Sequence, residues 1–275
     1  MSYNGNENWC LLENRIELAI KSKIDRLGVP LSNWNIRINY GIKTGYNKAF
    51  IIDNTIKADL IRQDNKSADI IRPLLQGKDI ERYWYKNSKK YIILTHNGCS
   101  QLNMPHVDVN EYPAIKNHLD KYYKELVTRK DQGYTPYNLR SCSYMDDFLK
   151  QKLVWTPVNS EYRFAILPEN YYFNNSLFMI TGEKIHLLCG ILNSSLYRFY
   201  LNVMFSNGTY QYGSSSFFEK LKVKRNGKEI DDIVNLVKKI NATNYDKYYS
   251  KIDDLVYKLY EITDEEKEYI THKIN

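Results

Sequence analysis

The sequence has little cysteine, little proline and no long apolar run. Its 275 residues include four cysteines, seven prolines and twelve glycines. Cys10, Cys99, Cys142 and Cys189 form no CxxC pair, so a disulfide framework is not expected and they read as buried thiols. No stretch approaches the roughly 18 apolar residues that a membrane span needs. The opening residues, MSYNGNENWC, lack a basic start followed by an apolar segment, so no secretory signal is expected. The chain therefore reads as cytoplasmic, with no membrane partner. At 43% hydrophobic residues it is not compositionally disordered, and its length suffices to bury a core.

Catalytic signatures are also missing. The GIKTGYNK segment, 41–48, has two glycines but fails the Walker spacing, which needs four residues between glycines and then Lys-Ser/Thr. No GxGxxG fingerprint and no GxSxG elbow occur. His96, Cys99 and His106 share one loop, but no fourth ligand follows at zinc-finger spacing, so no metal is expected. Asp231–Asp232 and Asp253–Asp254 are neighbours on helices and point apart, as solvated faces do. No catalytic residue is assigned, and a stand-alone nuclease or methyltransferase is set aside.

What is present is charge, tyrosine and periodicity. The formal charge is +7, from 28 lysines and 11 arginines against 32 acids. Lysine is abundant throughout, so that charge points only weakly to nucleic acid, and the few arginines are the more informative cations. The 25 tyrosines join a flat apolar face to a hydroxyl, which suits wet interfaces.

Along the chain, apolar residues at three- and four-residue steps predict a helix over 11–27, ended by Gly28 and Pro30. WNIRINY, 34–40, alternates like a half-buried strand. GIKTGYN follows as a glycine-bounded loop, read as a hairpin turn or as a loop that approaches a ligand closely, and AFII, 49–52, reads as a second strand. Residues 66–83 hold a helical turn, a Pro73 break and a short element. A strand is expected at 90–96, a helix at 112–130, strands at 152–158, 162–167 and 172–180, a helix at 190–205 and a short strand at LKVKR. Three helices close the chain, the last opened by the capping-box pattern Thr263 to Glu266. A boundary near 226 then divides a body, 1–226, from a helical tail, 227–275. Trp34 and Trp155 are expected in the core.

Basic and aromatic residues interleave in several loops, the mixture that holds phosphates and reads base edges. The candidates for DNA contact are Lys43, Thr44, Tyr46 and Asn47 in one loop, with Lys78 and Arg82 close by. Arg129, Arg140, Tyr210, Gln211 and Tyr212 come from later loops. Asp79 is expected to organise its own turn, since it would repel phosphate.

Four segments in order resemble the TaqI-like C-terminal specificity domain of N6-adenine DNA methyltransferases and fused restriction–methylation enzymes. They are GIKTGYNKAFII (41–52), IIRPLLQGKDIERY (70–83), LLCGILNSSLYRFY (187–200) and IDDLVYKLYEITDEEKEYI (252–270). YPAIKNHL, 112–119, is similar to a helix start of the family. The resemblance implies an α+β target recognition domain with irregular, partly β-helix-like strand layers and a C-terminal helical hairpin. It implies double-stranded DNA as partner. A methyltransferase catalytic domain or subunit would be the second partner and would carry S-adenosylmethionine. This chain has neither the family's cofactor loop nor its Asn-Pro-Pro-Tyr/Phe tetrapeptide. It is therefore expected to bind no cofactor itself, and to be a fragment, a separate subunit or a split-gene product. The alternative is a protein-interaction subunit that docks through its C-terminal helices.

Overall fold

A pair of strands far apart in sequence opens the architecture. In the computed structural model, which describes residues 15–156, 162–205 and 215–274, helix α1 (Arg15–Leu27) leads into β1 (Val29–Pro30). Residues 11–14 of the expected helix lie outside the described residues. Next come β2 (Ile36–Tyr40), the one-turn helix α2 (Asn47–Phe50), β3 (Ile51–Asp53) and α3 (Asn54–Gln63). The expected strand at 49–52 is thus half right: Ala49 and Phe50 are helical, and extension begins at Ile51. Helix α3 was not expected. Its start is set by Asp53, whose carboxylate accepts from the Ile56 N–H at 3.0 Å.

The chain continues through β4 (Ile71–Leu75), β5 (Lys90–Ile93), α4 (Pro113–Asp120), α5 (Tyr123–Thr128) and α6 (Met145–Phe148). Pro73 does not break the chain; it is an exposed residue inside β4, opposite Tyr91. The single helix expected over 112–130 is two, separated at Lys121–Tyr122. Then come β6 (Lys152–Trp155), β7 (Phe164–Leu167), β8 (Tyr172–Phe173) and β9 (Phe178–Gly182). The strand expected over 172–180 is two strands, in different sheets. Helices α7 (Ile185–Asn193), α8 (Ser195–Phe205) and α9 (Ser215–Lys220) precede β10 (Lys222–Val223). The tail is α10 (Ile230–Lys239), α11 (Tyr245–Leu259) and α12 (Asp264–Ile274). The capping box forms as its pattern predicts: Thr263 N–H donates to Glu266 at 2.7 Å, and Glu266 N–H to the Thr263 hydroxyl at 3.3 Å.

β1 pairs with β10. One four-stranded antiparallel sheet runs β2-β9-β6-β7, and another runs β3-β5-β4-β8 with β4 and β8 parallel. The segment 41–47 is therefore not a hairpin: β2 and β3 belong to different sheets, and the loop carries the chain between them.

Strands β6 and β7 of the first sheet are covered on both faces, which is why LVW and FAIL read as unbroken apolar runs. Leu153, Trp155, Phe164 and Ile180 point into a core shared with α1, α7, α8, α9 and the tail. Val154, Ala165, Leu167 and Met179 point the other way, into a core shared with the second sheet and α4. Trp34 and Trp155 are both core residues, as expected. The apolar stripes of the tail close on the body: Ile233, Ile252, Val256 and Ile270 are buried in the first core. The fold is α+β, in agreement with the class expected. Among the described residues no helix is long and apolar enough to cross a membrane.

Candidate nucleic-acid interface

The loop between β2 and β3 is clasped from below by residues 173–177, FNNSL. Gly41 N–H donates to Leu177 O at 2.9 Å, Ile42 N–H to Phe173 O at 2.9 Å, and Asn175 N–H to Ile42 O at 3.1 Å. The approach is so close that a Cβ on Gly41 would lie 2.1 Å from the Asn174 carbonyl oxygen. Glycine is required there for space. The same segment holds the Gly77–Asp79 turn, because Gly77 N–H donates to the Ser176 hydroxyl at 3.1 Å. Asp79 closes that turn by accepting from the Gln76 N–H at 2.8 Å, the role expected of it. The turn leaves Lys78 exposed. Two of the expected reading segments are thus joined through a third that the sequence did not single out.

On its other side the loop is held by Arg129. This residue is only 7% exposed, and its guanidinium donates to the carbonyls of Thr44, Pro136 and Asn138 while lying 4.6 Å from the Phe50 ring centroid. Burial pulls its pKa down to about 10. Arg129 is therefore not on the surface where the sequence reading placed it; it ties three loops together from inside. Thr44 is also buried, and its hydroxyl donates to Asn47 Oδ1 at 2.6 Å, so it shapes the loop. Arg82 turns to the protein as well: it donates to the Asn193 carbonyl and lies over the Tyr245 ring at 5.9 Å. Arg140 is exposed but paired with Asp131 at 2.8 Å. Tyr210, Gln211 and Tyr212 lie outside the described residues.

Of the expected candidates, Asn47 and Lys78 are exposed, and Lys43 and Tyr46 are half-buried. Lys43 rests over the Tyr40 ring at 5.1 Å, and Tyr46 packs on Tyr122 at 5.9 Å between centroids. Three further residues belong with them. Lys48 and Asn175 are exposed beside the loop. Tyr134 is 74% exposed, its ring 4.4 Å from that of His106. Its turn is rigid, because Asn97 accepts from Tyr134 N–H at 2.6 Å and Asn97 donates to Leu139 O at 2.6 Å. The Asn- and Gly-rich runs NNS and NG were the available sequence signals for these positions.

Ammonium groups, amides and a tilted aromatic pair can hold phosphates, base edges and ring faces. His96 Nδ1 accepts from Gly98 N–H at 3.0 Å, and among the described residues no three His, Cys, Asp or Glu side chains converge on a metal position.

The TaqI-like C-terminal specificity domain matches residues 72–219, more than half of the chain. The match takes in the GKDIERY and LLCGILNSSLYRFY segments, while 41–52 and 252–270 fall outside it. No curated protein matches the sequence. Among solved structures, the Type IIL restriction–modification enzyme MmeI in complex with DNA aligns with a TM-score of 0.62 at 16% identity, over 85% of this chain and 34% of that one. The type IIG restriction endonuclease BpuSI aligns with a TM-score of 0.51 at 12% identity, over 90% of this chain and 33% of that one. The chain thus spans about a third of the length of the solved proteins it matches, and at these identities the likeness is one of fold. On the match over residues 72–219, this chain belongs to the family of TaqI-like C-terminal specificity domains.

Proposed function

We propose that the chain reads a short sequence in double-stranded DNA as the specificity module of a restriction–modification system. One observation carries the reading: the loop at 41–48, the turn at 77–79 and the turn at 133–138 are locked together by the 173–177 segment and Arg129. That leaves Lys43, Asn47, Lys48, Lys78 and Asn175 at the surface of one braced unit. Rigidly held side chains can discriminate bases, because a fixed amide or ammonium meets only one groove pattern. Lysines would contribute through phosphates and counterion release.

In this reading methyl transfer to adenine, and any cleavage, belongs to a partner domain or subunit that binds S-adenosylmethionine, and this module's role is not catalytic. The setting is the cytoplasm, where such a system meets its DNA. The reading as an assembly subunit, docking through the tail, has less to recommend it: the apolar stripe it would use is already buried on α1, α7 and α8.

The test is selection from a pool of randomised duplexes at low salt. An enriched sequence word is the expected result. A chain that retains no duplex, even at high concentration, overturns the proposal.

A further inference from the structure

A cleft of about 530 Å³ opens between residues 83–87, the start of α7 and the end of α10. That volume lies within the roughly 300–1,000 Å³ range of small-molecule sites. Its wall is shaped by an unusual backbone. Tyr83 has φ +71°, a left-handed conformation that a bulky residue rarely adopts. The conformation is held from inside: Tyr83 N–H donates to Phe164 O at 2.8 Å, and its hydroxyl to Gly190 O at 3.4 Å. The turn sends the Tyr83 ring into the core and leaves the next two rings, Trp84 and Tyr85, half-exposed on the cleft. Tyr171 meets Tyr85 edge to face at 5.6 Å. The same cleft is also lined by basic and polar groups, His186, Lys238 and Gln151. Lys238 and His186 make no hydrogen bond or ion pair among the described residues. Burial, and after it the Lys238 charge, hold the His186 imidazole below its ordinary pKa. An anion between the two would relieve that repulsion.

Aromatic rings and two basic groups lining one cleft are complementary to a planar heterocycle that carries a phosphate. We propose that this cleft is a nucleotide site, with the base against the Trp84, Tyr85 and Tyr171 rings and the phosphate beside Lys238 and His186. The ligand is either a free mononucleotide or one nucleotide of a displaced DNA strand. The inference goes beyond the duplex reading and does not depend on it.

The experiment is a titration of the full chain with dAMP, with deoxyadenosine and with a five-nucleotide single strand, following tryptophan emission. Among the described residues Trp34 and Trp155 are buried, so Trp84 is the indole there placed to respond; Trp9 lies outside the described residues. Saturable quenching by dAMP is expected, weaker by roughly tenfold for the nucleoside, the scale of one charge-assisted hydrogen bond. Lys238→Met should bring dAMP down to the nucleoside level, and Trp84→Phe should abolish the signal. Tighter binding of the single strand than of dAMP would assign the site to a DNA strand; the reverse would assign it to a free nucleotide. No saturable change at millimolar ligand, or a change that survives in both variants, overturns the proposal. A chain that selects no duplex yet binds dAMP refutes the DNA reading and leaves this site standing.

Discussion

The Arg129 guanidinium donates to the carbonyl of Thr44, 85 positions away, and to the carbonyls of Pro136 and Asn138 within its own segment. One buried cation therefore sets the spacing between the β2–β3 loop and the Tyr134 turn. Arg129→Met should leave the Thr44 and Pro136 carbonyls without this donor and the Asn138 carbonyl with Gly133 N–H alone, and cost about 3 kcal/mol, within the range for breaking a buried polar network. Arg129→Lys keeps the charge but loses the planar fork, and should recover only part of that stability. Urea unfolding of the two variants checks both statements. Duplex affinity should fall in step with stability, because the residue acts on the loop and not on DNA.

Lys48→Ala and Lys78→Ala should weaken duplex binding uniformly across sequences and each lower the slope of log K against log salt by about 1. Asn47→Ala and Asn175→Ala should behave differently. Each should relax discrimination at one base pair by about 1–3 kcal/mol and leave the salt slope unchanged. Binding of a selected duplex and its single-base variants, measured at several salt concentrations, separates the two classes.

Tyr134→Ala should reduce affinity by about 1–3 kcal/mol where the ring stacks on a nucleotide, with Tyr134→Phe close to the unaltered chain. The ring is exposed and its turn is held by backbone bonds through Asn97, so folding should be unaffected. Thermal melting alongside the binding assay tests this. Equal affinity for all three chains would remove Tyr134 from the interface.

Gly41→Ala should destabilise by about 2–3 kcal/mol, since its Cβ would press on the Asn174 backbone and not on a flexible side chain. The loss should appear in the urea midpoint. Protection of the 173–177 and 76–79 amides against hydrogen exchange should fall with it, because all three segments share one set of bonds.

Lys152 is fully buried in β6, its ammonium donating to Pro168 O at 3.1 Å and Tyr171 O at 3.5 Å. Burial pulls its pKa from the ordinary 10.5 down to about 8. Between those values the folded chain holds fewer protons than the unfolded chain, so this residue's contribution to stability rises with pH. Compared with Lys152→Met, the unaltered chain should gain up to about 3 kcal/mol from pH 8 to pH 10.5. The difference between the two chains is the quantity to measure. Cys142, whose thiol burial raises to about 11, works in the opposite direction in both.

Whatever depends on near neighbours was legible in the order of residues alone. The tail helices follow their three- and four-residue apolar steps, and the Thr263–Glu266 box closes over a single turn. Asp79 is seated by Gln76, three residues away, and the GKDIERY and LLCGILNSSLYRFY segments carry enough local pattern to reveal the family. The tertiary structure alone decided what distant partners impose. β2 and β3 look like two arms of a hairpin until each finds its partner in a different sheet, β9 and β5. Arg82 and Arg129 are indistinguishable in sequence from surface cations. They turn inward because the fold brings carbonyls of Asn193 and Thr44 to them. Asn175 gained its exposed place because its backbone, and not its side chain, was needed to hold Ile42. A long flexible side chain follows the strongest acceptor within reach, and which acceptor that is depends on contacts closed over tens of residues.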